Sequence, residues 1–415
     1  MTAKHEVREA PTGFIGHLRN IGPGVVVSGS VVGSGELLVT TRMGADVGFV
    51  FLWGVIVACL VKFFIQLELG RQCILHNHTT IQVLTRAAGP RICQTSWVAW
   101  LCVLGYFSVM IAIVGIIGSV AGLLVTVSPA LSYELWAVVI FLSMSLLLYR
   151  GIYGDLEKMV AILVASFSLV VIGSVVALQW TDLSITQAQL LSGFRFAMPA
   201  DGAFVALAVM GSVGATAVEL FMYPYWVKEK GYPEFVGPRD DSADWERRYR
   251  GWMKVMTLDA VVCTAIALAI TCAYYLLGAS VLKGLNVVPQ GMKVVEHVSL
   301  IFTESLGTWA YYLFMFGGFC TLFSTLLVFT ASSGRISVDF LQQLGVSLGG
   351  EDRRLSWLRM LQVAFPLSWL CAMLMMPDTP LALVLLGANA NNLLLIPMAY
   401  GVLHLAMGAV QAERM

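Results

Sequence analysis

The sequence predicts an all-helical integral membrane protein. Of its 415 residues, 58% are hydrophobic and 12% are charged, and its mean hydropathy is +0.81. Soluble domains carry about 25% charged residues, so this composition excludes an ordinary soluble domain. Apolar stretches of about 20 residues, the length that crosses about 30 Å of hydrocarbon as a helix, recur along the whole chain. The formal net charge of zero gives no indication of a nucleic-acid partner.

Ten apolar stretches are candidate membrane spans. They divide into two halves of five, and because five is odd the halves cross the bilayer in opposite directions, which is the arrangement of an inverted repeat. This predicts an N-terminal segment 1–20, a first repeat 21–180 and a second repeat 200–408. The spans are expected near 22–43, 47–74, 95–127, 133–150, 156–178, 202–226, 255–280, 307–335, 357–376 and 380–408.

The distribution of basic residues predicts the orientation of the spans. Lysine and arginine collect in the cytoplasmic segments of membrane proteins. If the N-terminus is inside, the internal segments hold most of them, and the loop 226–255 alone carries seven. Both termini are therefore expected on the cytoplasmic side of the plasma (inner) membrane. The external segments carry only Arg42, Arg195, Lys283 and Lys293.

The first span is interrupted by Gly33-Ser34-Gly35, directly before Glu36. Glycine weakens a helix by about 1 kcal/mol relative to alanine, and irregular backbone persists at membrane depth only beside protein or a wet cavity. A carboxylate at that depth costs about 2.5–3.5 kcal/mol on insertion scales, so its position beside a break indicates a binding site. Gly29 and Gly33 could instead form a helix-packing face.

The sixth span carries a second acidic residue near an expected break. Pro224 removes a main-chain donor and clashes with the preceding turn, so the helix is expected to unwind just upstream, with Glu219 inside that turn. Glu219 could bind a substrate, or it could only accept hydrogen bonds from N–H groups freed in span 1. If both carboxylates are ligands, the site lies between spans 1 and 6, and transport across the bilayer is the first functional hypothesis.

Lys62 lies near the middle of span 2 and bears on the charge of the substrate. A buried ammonium needs a partner, and Glu36, Glu219 and Glu68 are the candidates. Two free carboxylates attract a cation, whereas neutralisation of one of them by Lys62 would leave helix N-termini available for an anion. Three asparagines of span 10 could offer oxygens to a substrate or hydrogen-bond across helices: Asn389, Asn391 and Asn392.

Several motifs resemble those of a known family. Gly22-Pro23-Gly24, the break that follows, and the segments 48–53 (GFVFLW) and 66–71 (QLELGR) resemble the opening of the Nramp (natural resistance-associated macrophage protein) divalent-metal transporters. Gly214-Ala215-Thr216 and Leu395-Ile396-Pro397 also fit that family's pattern. The resemblance covers nearly the whole chain. It implies the LeuT-type fold, with two inverted repeats of five transmembrane helices and with helices 1 and 6 discontinuous.

The residues that perform the chemistry of the resembled family are mostly changed. Where the family has Asp-Pro-Gly-Asn, this chain has Gly33-Ser34-Gly35-Glu36. The family's span 6 methionine, a soft metal ligand, corresponds to Val218, and the acidic residues of span 3 that serve proton movement correspond to Ala112 and Gly115. Ala215 matches the alanine that offers its main-chain carbonyl in the family. The chain thus resembles a divergent branch that lacks the metal-binding aspartate and methionine.

These changes predict a facilitated transporter of a hard divalent cation. Without thioether or imidazole, two glutamates with carbonyls and waters form an oxygen-only site, which suits Mg²⁺, Mn²⁺ or Ca²⁺. The absence of span 3 carboxylates favours transport that is not coupled to protons. We expect Glu36 and Glu219 as metal ligands and Lys62 as a balancing charge. The expected substrate-binding residues are Gly33, Ser34, Gly35, Glu36, Ala215, Val218, Glu219 and Asn389.

Two other functions are alternatives. A transporter of a small anion or other non-metal solute, such as bicarbonate, would hold it at the N–H groups of Ser34 and Gly35, with Lys62 balancing the charge. A non-transporting sensor or scaffold is the third hypothesis, since some proteins with Nramp-like membrane domains signal rather than carry. An enzyme is not expected, nor a cofactor, because the chain contains no His-Glu-x-x-His, nucleophile elbow or phosphate loop.

Overall fold

The described part of the chain is almost entirely helical. The structure, a computed structural model, describes residues 7–22, 33–93, 95–149, 153–199, 202–240, 242–290, 294–346 and 348–412. Among these residues, seven helical segments are long and apolar enough to cross a membrane, judged by length and composition, and two further apolar helices are shorter. Within the same residues the strands are β1 (Arg91–Ile92) and β2 (Thr95–Ser96), which pair antiparallel.

The first half of the chain follows the predicted spans. The beginning of span 1, including Pro23, Gly24 and Gly29, lies outside the described residues, and the description resumes with a bend at Gly33. The elements are α1 (Gly13–Asn20), a π-helical turn (Gly35–Thr40), α2 (Thr41–Val47), a 3-10 turn (Gly48–Phe51), α3 (Leu52–His76), α4 (Thr80–Thr85), α5 (Trp97–Val127), α6 (Tyr133–Tyr149) and α7 (Tyr153–Leu178).

In the second half, span 6 is divided into two helices, as expected. Two features differ from the prediction. The seventh span begins within the loop 226–255, and a helix that was not predicted lies between the seventh and eighth spans. The elements are α8 (Gln187–Ser192), α9 (Ala203–Ser212), α10 (Ala217–Glu229), α11 (Tyr232–Val236), α12 (Ala243–Leu277) with a π-helical continuation (Gly278–Leu282), α13 (Val294–Leu306), α14 (Ala310–Gln343), α15 (Glu351–Met375) and α16 (Pro380–Ala412).

The early start of α12 has a local cause. The Ser242 hydroxyl caps the helix by accepting from the Trp245 N–H at 3.1 Å, so the helix begins while the sequence is still polar. Hydropathy detects only the apolar part that follows. α12 therefore extends beyond the hydrocarbon and forms a platform for neighbouring segments.

α12 also fixes the second part of span 1. The Tyr275 hydroxyl donates to the Gly48 carbonyl at 2.6 Å and accepts from the Phe51 N–H at 2.9 Å, which secures the turn between spans 1 and 2. A Cβ on Gly278 would lie 2.4 Å from the Thr41 carbonyl oxygen. Small residues let membrane helices approach closely when lipid offers no hydrophobic drive, and here they press span 1 against α12.

α16 packs along α5 and α9. A Cβ on Gly115 of α5 would lie 2.3 Å from the Pro380 carbonyl oxygen, and one on Gly387 would lie 2.4 Å from the Ala112 Cβ. Because the first of these neighbours is main chain, it cannot move aside as a flexible side chain would. The contact between α5 and α16 therefore has no room for a side chain at position 115.

Candidate functional site

The interruption of span 6 lies between α9 and α10. Gly214 has a φ of +62°, a conformation that suits glycine and does not continue a helix. Thr216 then caps α10. Its N–H donates to Glu219 Oε2 at 2.5 Å, while its hydroxyl accepts from the Glu219 N–H at 3.5 Å, so the two residues form a capping box.

The position of this break corrects the expectation from Pro224. Pro224 lies inside the continuous helix α10, and the unwound residues are 213–216, further upstream. Glu219 is in the first turn of the new helix rather than in an unwound turn. The Glu219 carboxylate accepts a hydrogen bond from the Thr216 N–H of span 6. The alternative role considered from the sequence instead had Glu219 accept from N–H groups of span 1.

Glu36 is placed by the bend at the start of the π-helical turn. Its side chain is fully buried. Its Oε2 accepts from the Gly33 N–H at 3.2 Å, and its Oε1 accepts from the Thr271 hydroxyl of α12 at 3.2 Å. The carboxylate is thus anchored on one side by its own helix start and on the other by the neighbouring span.

Glu36 and Glu219 line the same cavity, which has a volume of about 70 Å³. The interrupted parts of spans 1 and 6 touch at its wall, because a Cβ on Gly35 would lie 2.6 Å from the Ser212 carbonyl oxygen. The rest of the wall comes from α5, α14 and α16 and is largely apolar. Its polar side chains, besides the two carboxylates, are Ser34, Ser212, Thr216, Thr325, Ser332 and Asn391.

The predicted site residues divide into two groups. Gly33, Ser34, Gly35, Glu36, Val218 and Glu219 line the cavity, whereas Ala215 lies in the break without lining it. Asn389 does not line the cavity either. Its amide donates to the Phe204 carbonyl of α9 at 3.2 Å and to the Leu385 carbonyl at 2.9 Å, so it joins two helices.

Two cavity residues carry polar atoms that lack a partner. Asn391 is 5% exposed and Ser212 is also 5% exposed, yet neither Asn391 Oδ1 nor Ser212 Oγ has a hydrogen-bond partner in the structure as described. Buried polar atoms are normally satisfied, so both are suited to a bound species. The positions of the three asparagines around the helix distinguish Asn391 from the other two. Asn389 and Asn392 lie on the face of α16 that contacts α9, and Asn391 lies on a different face.

Met222 is a further cavity residue that the sequence analysis missed. It lies one helical turn after Val218, so the two share a face of α10, and both line the cavity. A thioether therefore lines the cavity beside the oxygen atoms, although the family position of the methionine holds Val218. The spacing of four residues between Val218 and Met222 is the sequence feature that predicts a shared helix face.

Lys62 does not pair with a carboxylate. It is 2% exposed, and its Nζ donates to the Gly211 carbonyl at 3.1 Å and to the Val213 carbonyl at 2.6 Å. These carbonyls lie at the C-terminal end of α9, which attracts positive charge. Glu68, one of the expected partners, is bound by Arg71 at 2.6 Å instead. Lys62 is close enough to interact electrostatically with both cavity glutamates, but it does not line the cavity.

Acidic and metal-binding side chains are sparse around this cavity. The described residues contain no group of three or more histidine, cysteine, aspartate or glutamate side chains that could hold a metal ion. Any ion bound here would therefore be held by two carboxylates together with uncharged donors.

Replacing Lys62 by methionine is expected to lower the melting temperature of the detergent-solubilised protein. Two buried carbonyls would lose their donor, at about 1–3 kcal/mol for each unsatisfied group. Thermal unfolding followed by intrinsic fluorescence measures the effect. Lys283→Met is the matched control, since the exposed Lys283 donates to a single carbonyl, that of Asp46, at 2.7 Å. Equal shifts in the two variants would contradict a structural role for Lys62 at the break.

A family model and several solved structures each match most of this chain. A sequence model of the natural resistance-associated macrophage protein-like (Nramp) family matches residues 24–411. A search of curated proteins by sequence returns no significant match. Among solved structures, a manganese transporter from Eremococcus coleocola is 14% identical with a TM-score of 0.63, covering 98% of this chain and 83% of that one.

Two solved transporters outside that family are also similar. Mhp1, a nucleobase-cation-symport-1 family transporter, is 13% identical with a TM-score of 0.55, over 92% of this chain and 77% of that one. MhsT in complex with L-phenylalanine is 15% identical with a TM-score of 0.51, over 96% and 89% of the two chains. At such low identity the similarity shows the fold, and the expected LeuT-type architecture is confirmed.

Proposed function

The chain belongs to the natural resistance-associated macrophage protein-like family of membrane transporters, and from this premise we propose that it carries a hard divalent cation such as Mg²⁺ or Mn²⁺. Glu36 and Glu219 are the proposed metal ligands. Transport is facilitated rather than proton-coupled, and it proceeds by alternating access around spans 1 and 6.

The convergence of two carboxylates on one small buried cavity carries this proposal. Two negative charges in an enclosed, largely apolar space repel each other strongly, and a divalent cation between them neutralises both. The unpartnered oxygens of Ser212 and Asn391 add neutral donors. Carboxylate, hydroxyl and amide oxygens are the ligands that hard cations prefer. Gly33 and Ala215 are proposed to contribute carbonyl oxygens during the transport cycle.

The size of the cavity supports a small cargo. A volume of about 70 Å³ accommodates an ion with a few waters. An amino acid or nucleobase needs considerably more space. The solved relative from Eremococcus coleocola is named as a manganese transporter, which agrees with a divalent cargo.

Helix packing supports transport without proton coupling. The resembled family has acidic residues of span 3 at the positions of Ala112 and Gly115. Here the Pro380 carbonyl fills the space that a side chain at position 115 would occupy, and Ala112 lines the cavity without a carboxylate. The membrane potential alone is sufficient to drive uptake, because a divalent ion that crosses 100 mV gains about 4.6 kcal/mol, twice the single-charge value.

The anion alternative loses its main support. It requires Lys62 to balance the charge of the substrate, but the Lys62 ammonium is directed to the carbonyls of Gly211 and Val213. A cavity wall with two carboxylates and no cationic side chain among its described residues repels an anion.

For the topology, we propose repeats at 21–180 and 200–408 with both termini in the cytoplasm. Cys93 is exposed in the loop that the charge distribution assigns to the cytoplasmic side. A membrane-impermeant maleimide should therefore label Cys93 in inside-out vesicles and not in right-side-out vesicles. Cys93→Ala serves as the control, and labelling from outside would contradict the topology.

Glu36→Gln and Glu219→Gln are each expected to reduce divalent-cation uptake at least about tenfold, which corresponds to about 1.4 kcal/mol of lost binding. The amide removes the charge but keeps an oxygen that can accept from the Gly33 or Thr216 N–H, so the helix starts are preserved. Uptake of Mg²⁺ and Mn²⁺ into proteoliposomes at an imposed potential is the measurement.

Glu304→Gln is the matched control for these variants, because Glu304 is exposed on α13 and does not line the cavity. Its uptake should equal that of the unmodified protein. A pH-sensitive dye in the same vesicles should report no acidification during uptake. Unchanged flux in both cavity variants would contradict the ligand assignment, and absence of any divalent flux in the unmodified protein would support the scaffold alternative.

Met222→Leu separates a hard cargo from a soft one. Thioether sulfur is a soft donor, so its loss should leave Mg²⁺ uptake within about twofold and reduce competition by Cd²⁺ more strongly. Leucine keeps a similar volume at this buried position of the cavity wall. The measurement is inhibition of Mg²⁺ uptake by increasing Cd²⁺. Equal loss of both activities would contradict a hard-ion site.

A further inference from the structure

The N-terminal helix α1 presents an apolar face to its surroundings. Phe14 is 67% exposed, Ile15 is 66% exposed and Leu18 is 40% exposed. At about 100° per residue these three side chains occupy one arc of the helix. Gly16 and Asn20 lie on the other side, where a Cβ on Gly16 would contact Pro11 at 3.3 Å. A helix with its apolar arc outward is typical of the bilayer interface.

The position of α1 places this arc at the membrane boundary. Two residues after the helix, the Gly22 N–H donates to the buried Asp259 carboxylate at 2.9 Å. Residue 22 is also where the first predicted span begins. From that predicted span we expect the apolar arc at the level where acyl chains meet headgroups.

α1 is held there by contacts of the segment before it. The Arg8 N–H donates to the Phe235 carbonyl at 2.9 Å, and the Arg8 carbonyl accepts from Trp252 Nε1 at 3.1 Å. Glu9 pairs with Arg247 at 2.7 Å, and this hydrogen bond lowers the pKa of Glu9 below its ordinary value, so the pair stays ionised at neutral pH. The segment is thus docked on α12 rather than loose in solvent.

A groove of about 580 Å³ separates α1 from the polar start of α12. Its charged or titratable lining residues are Glu9, His17, Glu246, Arg247, Arg250 and Lys254. Both arginines are already ion-paired: Arg247 contacts Glu9 and Asp244, and Arg250 contacts Glu246 at 2.5 Å. Lys254 is exposed and has no ion pair among the residues that the structure describes.

Lys254 stands where α12 changes from polar to apolar, immediately before its buried residues Val255 and Met256. An uncompensated ammonium at the interface attracts phosphate, and cytoplasmic basic pockets next to membrane helices are suited to lipid headgroups. A soluble anion would use the ammonium alone. A lipid would in addition lay its acyl chains against the apolar arc of α1.

We propose that this groove binds the phosphate headgroup of an anionic phospholipid, with Lys254 as the principal cation. Its acyl chains leave the groove over the edge of α1 and contact Phe14 and Leu18, which lie nearer than Ile15 to the helix side that lines the groove. The site is separate from the transport cavity and does not depend on which ion is carried. Its occupant ties the N-terminal segment and the start of α12 to one leaflet. Because α1 leads into span 1, the lipid would act on the helix that bears Glu36.

The test uses the purified full-length protein in nanodiscs that contain a fluorescent phosphatidylglycerol within phosphatidylcholine. Lys254→Gln should weaken retention of the anionic lipid about fivefold, the equivalent of about 1 kcal/mol for one basic residue at the surface. Lys254→Arg should retain it. Lys230→Gln is the matched control, since Lys230 is exposed and does not line the groove.

Two further arms separate a lipid from a soluble anion. The double variant Phe14→Ser, Leu18→Ser should weaken lipid retention, and millimolar inorganic phosphate should not displace the lipid from the unmodified protein. Displacement by phosphate, equal retention of phosphatidylcholine and phosphatidylglycerol, or no change in Lys254→Gln would each overturn the proposal. Unfolding of the double variant, checked by thermal melting, leaves the Lys254 series as the deciding result.

Discussion

Main-chain groups that a helix break exposes inside a bilayer must find partners, because hydrocarbon offers none. This chain supplies them with charged side chains. The Lys62 ammonium binds the carbonyls at the end of α9, the Glu219 carboxylate binds the Thr216 N–H at the start of α10, and Glu36 binds the Gly33 N–H. Each charge complements the helix end that it contacts, since N-termini attract anions and C-termini attract cations. The central architecture depends on these three caps.

The same caps define the chemistry of the cavity. A carboxylate that accepts one or two hydrogen bonds still has lone pairs for a further partner, so Glu36 and Glu219 can hold the helices and face a cargo at once. Lys62 differs, because its donors are directed into the α9 end and away from the cavity. The wall is left with negative charge and unpartnered neutral oxygens, which is an environment for a cation. Under the proposed function, the same two carboxylates would support the helix starts and bind the ion.

Some of this was predictable from sequence and some was not. Composition and the spacing of apolar stretches predict the class, and motif order predicts the family and its fold, because both depend on properties that are local in the chain. The sequence argument from Pro224 predicts a break too close to the proline. The first helix of span 6 ends before Gly214, which has a left-handed φ, and the next helix begins after the Thr216 cap, upstream of Pro224. The partner of Lys62 was missed for a general reason: every residue has a carbonyl, so acceptors on the main chain leave no mark in a sequence.

The distinction among the asparagines of α16 also needed the three-dimensional arrangement. Asn389 and Asn392 contact carbonyls of α9, whereas Asn391 lines the cavity. The sequence shows three asparagines close together but does not show which helix or cavity each of them faces. Helical periodicity would have grouped Met222 with Val218, as both lie one turn apart on α10. The family comparison concerns only the substituted position, Val218, and so it does not indicate that Met222 lines the same cavity one turn later.

The close approach of Gly35 to the Ser212 carbonyl bears on how this scaffold could acquire new cargo. Since that contact brings the two interrupted helices together, a methyl group at position 35 would clash with the Ser212 carbonyl unless the helices moved apart. MhsT, which shares this fold, has been solved in complex with L-phenylalanine. Position 35 is therefore a place where one carbon atom would change the dimensions of the cavity, and with them the size of the cargo that we propose.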